Sequence, residues 1–452
     1  MIVMKFGGTS VEDSAAVRRL IEIVRSKLDE KPIIVVSALS KVTHSLYQIA
    51  DYASRGDFES ADRLLSEIKE RHEKMSRELI SNDKRRLDLC VGKIGEQIAG
   101  LRDIIKVISI LAELSDRSLA KIVSHGELLS SFIIFHALNE SGIRCAYADA
   151  RECIITDNQY LKGEPDLNLI KERVPKYINE QFADNETLII QGFIASSIDG
   201  INTTLGRGGS DYSASLIGLA MGAREIEIWT DVDGIHTADP GRVANTRSIS
   251  LLSFEEAAEM AYFGAKVLHP STIQPAIEKN IPVRVLNSRK PEHNGTLILH
   301  RDLIKEDGIK AISFKENIIV VNVFSTKMLN YFGFLNRLFE VFNKHKVSVD
   351  LISTSEVNVS LTIDSDAGLQ SIIEELSQFS EVNVERNMSQ ISVVGSNLKN
   401  IKGVCKRVFG SLGDYQIYMI SQGASDVNIS FVVGRENLTS VLRILHNEFF
   451  NE

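Results

Sequence analysis

The chain has few cysteines and lacks several short motifs that define enzyme classes. Its four cysteines are scattered without CxxC spacing, so we expect reduced, buried thiols rather than disulfides or metal ligands. No HExxH pattern, GxSxG elbow or Cys-His zinc spacing is present, and no GxGxxG follows a predicted strand. These absences argue against the hydrolases and zinc sites that such motifs define, and against a fused dinucleotide-binding domain.

An excess of basic residues is also missing. The 452 residues carry 51 basic and 60 acidic side chains, a net charge of -9, which argues against a nucleic-acid partner. The chain shows no signal-peptide pattern and no apolar run judged long enough to span a bilayer, so we expect a cytoplasmic protein without a membrane partner. Its length predicts two or three domains.

The first strand leads into a glycine-rich turn. Apolar residues from Ile2 to Phe6 predict a buried strand, and Gly7 and Gly8 follow directly. Glycines let the backbone approach a phosphate, and a following helix start, which Ser10 is predicted to cap, offers amide donors. Lys5 adds a full positive charge. The stretch predicts phosphoryl transfer, although the lysine precedes the glycines and the loop is no Walker A motif.

A second strand, within 33–38, ends in hydroxyl groups. Ligands of open α/β sheets bind beyond the carboxyl ends of the strands, so Ser37 and Thr43 are placed to donate to a substrate oxygen. The alternative is that both side chains only form turns and caps.

An acidic residue opens an otherwise apolar helix. Ser124, Glu127 and Ser131 share one stripe of this helix. A carboxylate in such surroundings needs a partner, which is either a substrate ammonium or a structural arginine elsewhere in the chain. His125 is interpreted as a hydrogen-bonded residue at the helix start.

A second glycine-rich segment, 203–211, surrounds one arginine. Arg207 offers a planar fork for a carboxylate, and the amides from Gly208 onward predict an anion-binding nest. Ser210 or Asp211 is predicted to cap the following helix. Asp211 could orient Lys5, help to hold Mg²⁺ or shape the transition state.

Two further stretches follow. In 226–235 a strand ends at Asp231 and Asp233, which either serve a nucleotide or metal or simply form a turn. In 263–270 the lysine Lys266 lies in an apolar-flanked loop, where a phosphate contact and a solvated lysine are equally consistent with the spacing.

The organisation changes near residue 300. Residues 1–300 alternate predicted strands and helices, whereas the remainder contains a repeat of the form strand–helix–strand–strand–helix. The repeat predicts a pair of ferredoxin-like units that bind a small molecule, or that serve only as dimer contacts.

Taken together, the motifs resemble those of the aspartokinase family within the amino-acid kinases. The resemblance rests on KFGGTSV from Lys5, VSALS from Val36, SHGELLS from Ser124, TTLGRGGSD from Thr203, WTDVDGI from Trp229 and FGAKVLHP from Phe263. It implies a three-layer αβα kinase fold over 1–300 and two intertwined ACT domains over 310–385 and 386–452. It further implies ATP-dependent phosphorylation of the β-carboxylate of L-aspartate, the committed step toward lysine, threonine and methionine.

The resemblance assigns roles to matching residues. The catalytic residues would be Lys5 and Asp211, and no protein side chain would hold a metal, since Mg²⁺ arrives with ATP. The substrate would contact Ser37, Thr43, Glu127, Arg207, Gly208, Gly209 and Ser210. The nucleotide would contact Lys5, Gly7, Gly8, Thr9, Ser10, Thr230, Asp231, His236, Arg242, Lys266 and Val267. His236 stands where the family often has tyrosine, and Gly241 shifts Arg242 by one place, so these two contacts depart from the family pattern.

The C-terminal segment is similar to the lysine-inhibited class. The effector pocket would comprise Met328, Tyr331, Phe334, Leu335, Ser348, Val349, Asp350, Ser355 and Glu356, where Tyr331 departs from the small or polar residue common there. Asp350 and Glu356 suit a cationic effector such as lysine, and threonine is the alternative. We expect a homodimer through the ACT units, or a larger assembly. The rival interpretations are a kinase for glutamate, acetylglutamate or a nucleotide, and a non-catalytic amino-acid sensor.

Overall fold

A computed structural model describes residues 1–263, 272–328 and 332–451. The chain divides into two compact units. The first comprises Met1–Ile235 and Leu268–His300, and the second comprises His236–Val267 and Arg301–Glu452. The segment between 236 and 267 therefore belongs with the C-terminal residues, although it interrupts the first unit in sequence.

The elements up to residue 300 alternate as the sequence predicts. In chain order they are β1 (Val3–Phe6), α1 (Ser14–Arg25), β2 (Ile33–Val36), α2 (Val42–Ser54), α3 (Phe58–Leu79), α4 (Lys84–Leu111), α5 (Asp116–Val123), α6 (His125–Glu140), β3 (Cys145–Tyr147), β4 (Ile155–Thr156), α7 (Leu167–Phe182), β5 (Thr187–Gln191), β6 (Ile194–Ser197), β7 (Asn202–Thr204), α8 (Gly209–Met221), β8 (Ile226–Thr230), β9 (Leu251–Ser253), α9 (Phe254–Tyr262), α10 (Gln274–Glu278), β10 (Val283–Asn287) and β11 (Thr296–Leu299).

Seven strands of the first unit form one sheet in the order β3-β5-β2-β1-β8-β10-β11. All neighbours are parallel except β10 and β11, which are antiparallel. Strand β1 lies in the middle, with Lys5 opposite Val35 of β2 and Ile228 of β8. The strand order reverses about β1, and the crevice beyond the carboxyl ends at such a point is where open α/β sheets bind ligands.

Helices cover this sheet and make it a three-layer αβα domain. Helix α8 packs on β1, β2 and β8 and contacts α7 and α10, whereas α6 packs on β2, β3 and β5. Strands β1, β2 and β5 are buried along their whole lengths, as parallel strands between helical layers are. The strands predicted before Gly7, within 33–38 and before Asp231 are present as β1, β2 and β8.

The helical stretch Asp116–Glu140 corrects one prediction. By length and composition it could cross a membrane, contrary to the expectation that no apolar run is long enough. However, 67% of its most apolar window is buried inside the protein. Because α6 packs on three strands of the sheet, this burial indicates the core helix of a folded domain.

The elements after residue 300 form the predicted repeat. They are β12 (Gly308–Phe324), α11 (Phe334–Lys344), β13 (Ile352–Thr354), β14 (Asn358–Ile363), α12 (Leu369–Leu376), β15 (Glu381–Ser396), α13 (Val404–Gly410), β16 (Met419–Gln422), β17 (Asn428–Gly434) and α14 (Leu438–Phe450). They build one antiparallel sheet in the order β13-β14-β12-β15-β17-β16. Helices α11 and α13 each begin after a left-handed glycine, Gly333 and Gly403, at matching points of the repeat.

The two repeats are intertwined through their longest strands. The end of β12 lies in a core with Leu338 and Leu361, whereas Ile312, near its start, lies in a core with Ile391 and Phe431. The first half of β12 therefore completes the second repeat. Strand β15 likewise runs without a break across position 385, where the sequence places a boundary between ACT domains.

Candidate active site

Lys5 and Asp211 form an ion pair above the centre of the first sheet. Lys5 lies on the middle strand β1, and Asp211 lies in the first turn of α8. The Lys5 Nζ and Asp211 Oδ1 atoms are 2.5 Å apart, and the two side chains are only 11% and 13% exposed. The fold thus brings together the two residues for which a joint catalytic role is predicted.

The turn after β1 packs against the end of β8 and against the residues that follow β2. The Gly7 N–H donates to the carbonyl of Trp229, and the Ser40 N–H donates to that of Gly8. A Cβ at Gly8 would lie 3.1 Å from the Ala38 carbonyl oxygen, so a larger residue would push the two turns apart. Glycine therefore lets the backbone of this turn, which follows Lys5, pack closely against the turn after β2.

The prediction that Ser10 caps the next helix is wrong. Residues Gly8–Val11, which include Thr9, form a short 3₁₀ helix, and Asp13 caps α1 by accepting a bond from Ala16. The Ser10 hydroxyl instead donates to the Trp229 carbonyl and contacts the Ser288 hydroxyl at 2.8 Å. Ser10 thus ties the glycine turn to strand β8 and to the residue that follows β10.

The end of β2 is held against α6. The Ser37 N–H donates to the Phe6 carbonyl, and the Ser130 hydroxyl donates to the Ser37 carbonyl at 2.8 Å. Ser37 and Thr43 are both half-buried, and Thr43 lies in the first turn of α2 rather than in a loop. Both hydroxyl groups lie beyond the carboxyl end of β2, as expected.

Glu127 is a buried carboxylate with one free oxygen. It is 3% exposed, and its Oε1 accepts a hydrogen bond from the Ala38 N–H at 3.1 Å. Within the described residues its Oε2 has no hydrogen-bond partner. Burial raises the pKa of Glu127 to about 8, although the Ala38 N–H opposes this shift. The structural arginine considered as an alternative partner is therefore not found in the described part of the chain.

A buried network that the sequence reasoning missed holds α6 in place. The Gln191 side chain donates to Ser131 at 3.0 Å and to the Ala148 carbonyl, and it accepts from the Ala150 N–H. Gly192 follows, and a Cβ there would lie 2.6 Å from the Cβ of Ser210. The signal in the sequence is a Gln-Gly pair directly after an apolar strand.

The second glycine segment forms the start of α8. Gly206 and Gly208 have φ values of 72° and 73°, which favour glycine, and Gly208 is the residue that precedes the helix. The prediction that Ser210 or Asp211 caps α8 is wrong, because the helix begins at Gly209 and has no side-chain cap. Arg207 is exposed. The first-turn position leaves Asp211 available to Lys5.

The two acidic residues that follow β8, Asp231 and Asp233, have different partners and exposure. Asp233 accepts hydrogen bonds from Asn287 at 2.5 Å and Lys290 at 2.7 Å, which hold its pKa below the usual range. Asp231 is exposed and accepts only a 3.2 Å bond from Thr230 among the hydrogen bonds described for it. The turn interpretation thus fits Asp233, whereas Asp231 remains accessible.

Two predicted nucleotide contacts lie in the second unit. The His236 ring contacts the Thr246 hydroxyl at 3.2 Å. Arg242 forms an ion pair with Glu316 and lies 5.9 Å from the centre of the Phe314 ring. Lys266 and Val267 lie outside the described residues.

The predicted effector residues divide into core and surface residues. Phe334 is buried in the core of the first repeat, and Met328 and Val349 pack against that core. Leu335, Ser348, Ser355 and Glu356 are exposed, whereas Tyr331 lies outside the described residues. The Asp350 side chain, only 2% exposed, already pairs with Lys315 at 2.7 Å.

Comparison with known protein families finds two matches along the chain. The amino acid kinase family matches residues 1–287, and the ACT domain matches 321–372 and 391–449. Lysine-sensitive aspartokinase 3 of Escherichia coli is 37% identical over 462 residues, which cover 100% of this chain and 99% of that protein.

Solved structures agree with the sequence comparison. The E. coli aspartokinase III complex with aspartate and ADP (R-state) superimposes with a TM-score of 0.85 at 34% identity. The complex of the same enzyme with lysine and aspartate (T-state) gives 0.82 at 35% identity. Both cover 100% of this chain and 100% of the solved one.

The αβα sheet with the Lys5–Asp211 pair at its central strand, followed by paired ACT repeats, defines a regulated amino-acid kinase. More narrowly, the chain belongs to the aspartokinase family, which its motifs already resembled.

Proposed function

We propose that this chain transfers the γ-phosphoryl group of ATP to the β-carboxylate of L-aspartate, and that lysine inhibits the reaction through the ACT repeats. The aligned E. coli enzyme is named lysine-sensitive, and its structures contain aspartate with ADP and aspartate with lysine. The residues of this chain supply the chemistry for both parts of the proposal.

The unpartnered oxygen of Glu127 carries the substrate assignment. A buried carboxylate with a free oxygen is costly, and a cation placed there removes the cost. The α-ammonium of aspartate is such a cation, and it would donate to Oε2 while Oε1 stays with the Ala38 N–H. Binding would therefore ionise Glu127 and stabilise the zwitterion.

Arg207 would bind the α-carboxylate of aspartate. Its guanidinium is exposed at the entrance to α8, and two donors of one plane match the two oxygens of a carboxylate. Thr43 and Ser37 would donate to the side-chain end. Gly208, Gly209 and Ser210 would supply the amides of the helix start, which favour negative charge.

Lys5 would neutralise the migrating phosphoryl group. The acceptor carboxylate is already a nucleophile, so catalysis needs positioning and charge neutralisation rather than a general base. Asp211 holds the Lys5 ammonium at 2.5 Å and so fixes its place above the sheet. Lys5 is then preorganised for the charge that develops in the transition state.

The nucleotide would lie along the glycine turn and the end of β8. Gly7, Gly8, Thr9 and Ser10 would face the phosphates, and Thr230 and Asp231 would line the pocket, with His236, Arg242, Lys266 and Val267 as further proposed contacts. No cluster of three or more metal-ligating side chains occurs among the described residues. Mg²⁺ would be held by the phosphates of the nucleotide, where it would neutralise their charge.

Asp350 and the exposed residues Leu335, Ser348, Ser355 and Glu356 would bind the effector, at a homodimer contact between ACT repeats. Ile352 on the edge strand β13 is 41% exposed, and Leu335 is 43% exposed, so apolar surface is available there. We expect this assembly to be cytoplasmic.

An aspartate-dependent assay tests the proposal directly. ADP formation is measured with aspartate, glutamate and N-acetylglutamate in turn, and aspartate alone is expected to support turnover. Lysine, threonine and methionine are then added separately, and lysine is expected to inhibit. Turnover with glutamate in place of aspartate would overturn the substrate assignment, and inhibition by threonine alone would overturn the effector.

A further inference from the structure

A lysine of the chain itself pairs with Asp350, the acidic residue predicted to receive the effector. Lys315 Nζ lies 2.7 Å from Asp350 Oδ2 and 2.9 Å from Asp364 Oδ2. The Tyr262 hydroxyl donates to Asp350 Oδ1. The four residues Lys315, Tyr262, Asp350 and Asp364 are called the Asp350 cluster below.

Both oxygens of Asp350 are thereby engaged. The Asp350 side chain is 2% exposed and that of Lys315 is 21% exposed, so neither water nor a ligand reaches the carboxylate easily. Lys315 Nζ also lies 5.0 Å from the centre of the Tyr262 ring, a cation–π contact. Although burial opposes it, the bonds to Asp350 and Asp364 raise the pKa of Lys315, which keeps it charged.

The cluster connects distant parts of the second unit. Tyr262 is the last residue of α9, Lys315 lies on β12, and Asp364 directly follows β14. Helix α9 is further fixed to the repeats through Glu256, which accepts a hydrogen bond from Ser396, and Glu259, which accepts one from Asn428. The residues after Tyr262 belong to the family motif FGAKVLHP. Asp350 is therefore hydrogen-bonded to the residue that precedes this motif.

We propose that Lys315 is a built-in competitor of the effector, so that an ammonium group of the effector reaches Asp350 only by displacing Lys315 and the Tyr262 hydroxyl. The inference rests on the proposed function, since it takes lysine as the effector and Asp350 as part of its site. Displacement frees Tyr262 and thereby links effector binding to the end of α9.

The competition has a measurable consequence. A ligand that must displace an internal group binds with an affinity reduced by the fraction of open sites. If Lys315 occupies Asp350 in about nine-tenths of the molecules, removing its charge tightens lysine binding about tenfold. Removing the Tyr262 hydroxyl leaves the ring in place but breaks the link from Asp350 to α9.

The test compares four variants of the full chain with the wild type. Lys315→Met removes the competing cation, Lys315→Arg retains a cation, and Tyr262→Phe removes only the hydroxyl. Lys310→Met is the matched control, because Lys310 lies on the same strand but pairs with Glu306. For each protein we measure the Kd of L-lysine by calorimetry, the increase in Tm with lysine, and the lysine concentration for half-inhibition of the kinase.

The expected results separate competition from a merely structural role. Lys315→Met binds lysine about tenfold more tightly and gains a larger Tm increase from lysine than the wild type, whereas Lys315→Arg and Lys310→Met do not. Tyr262→Phe binds lysine at least as tightly as the wild type. Its half-inhibition nevertheless requires a larger fraction of the protein to have lysine bound, as calculated from the Kd and the lysine concentration for half-inhibition.

Two outcomes overturn the inference in different ways. If wild-type protein binds lysine and Lys315→Met binds it equally or more weakly, Lys315 is not a competitor, and the proposed effector stands. If the wild type neither binds lysine nor is inhibited by it, the proposed effector fails and the inference fails with it. A Lys315→Met protein that does not fold leaves Tyr262→Phe to decide, since unchanged coupling there contradicts the link to α9.

Discussion

Each unit of this chain contains a lysine–aspartate pair of low exposure, but the carboxylates proposed to receive a ligand's ammonium differ between the units. The unit of the Lys5–Asp211 pair also contains Glu127, a buried carboxylate with one oxygen that has no partner among the described residues. In the Lys315–Asp350 pair, both carboxylate oxygens already have donors from the chain. Within the described residues, Glu127 therefore lacks a cationic partner, whereas Asp350 already has one in Lys315.

The difference suggests how the two regions meet their ligands. A site with a free buried oxygen gains a hydrogen bond when its ligand enters, without the loss of an earlier one. A site that is internally satisfied must exchange one partner for another, so its ligand competes with the fold. Catalytic binding is then direct, whereas regulatory binding is coupled to a rearrangement.

The largest expected effect is the loss of turnover when Lys5 is replaced. Lys5→Met should lower kcat about 10³-fold, because it removes the charge aimed at the phosphoryl group, while aspartate binding persists. Steady-state kinetics and calorimetry with aspartate measure the two quantities. Lys310→Met is the control and should keep wild-type kcat. A kcat within tenfold of the wild type in the Lys5 variant would remove Lys5 from the chemistry.

The next effect concerns the substrate rather than the reaction. Arg207→Ala should raise the KM for aspartate about 100-fold, since a charge-assisted bidentate pair is lost, while the KM for ATP stays near its wild-type value. Arg224→Ala is the control, because Arg224 pairs with Glu30 on the surface of the same unit. An unchanged KM for aspartate would show that Arg207 does not contact the substrate.

A pH profile tests the free oxygen of Glu127. Since the pKa is raised to about 8, most free enzyme carries a neutral carboxyl at pH 7 and must lose its proton to bind an ammonium. The KM for aspartate should therefore fall about fivefold between pH 7 and pH 8. Calorimetry in buffers of different ionisation enthalpy should detect release of almost one proton at pH 7.

The control for that profile is Glu127→Gln. A neutral amide cannot gain the negative charge, so the KM for aspartate should be high and nearly independent of pH in this range. A wild-type KM that rises from pH 7 to pH 8 has the wrong sign and would show that Glu127 does not receive the ammonium.

Local sequence patterns predicted the strand ends better than they predicted the helix starts. Apolar runs around Lys5 and before Ser37 and Thr230 placed the strand ends correctly, because parallel strands with helices on both faces are mostly apolar. The cap was wrong at Ser10 because a short 3₁₀ helix comes first and Asp13 caps α1, and it was wrong at Ser210 because α8 begins at Gly209 without a side-chain cap. Spacing does not reveal which residue begins the helix.

Long-range pairing was the part that sequence patterns could not supply. Nothing near Asp350 in sequence indicates that Lys315 and Tyr262 engage it, since these residues lie on separate elements. The position of 236–267 was equally hidden. Ala238 and Val243 belong to the core of the second repeat, so a truncation at residue 310 would remove the packing partners of this segment. Point variants are therefore better tests of regulation than truncation.

The smallest effect distinguishes the two acidic residues after β8. Asp233→Asn should lower the Tm by about 2 °C, because its ion pair with Lys290 contributes roughly 1 kcal/mol at neutral pH, and should leave kcat and both KM values unchanged. Because the pKa of Asp233 is lowered in the folded protein, this contribution is fully present at pH values above the pKa of the unfolded chain. It is lost as the pH falls through the pKa of the folded protein.

Asp231→Asn should instead raise the KM for ATP about fivefold at unchanged Tm, since Asp231 is exposed and proposed to line the nucleotide pocket. A shift of the KM for ATP in the Asp233 variant alone would reverse the two roles.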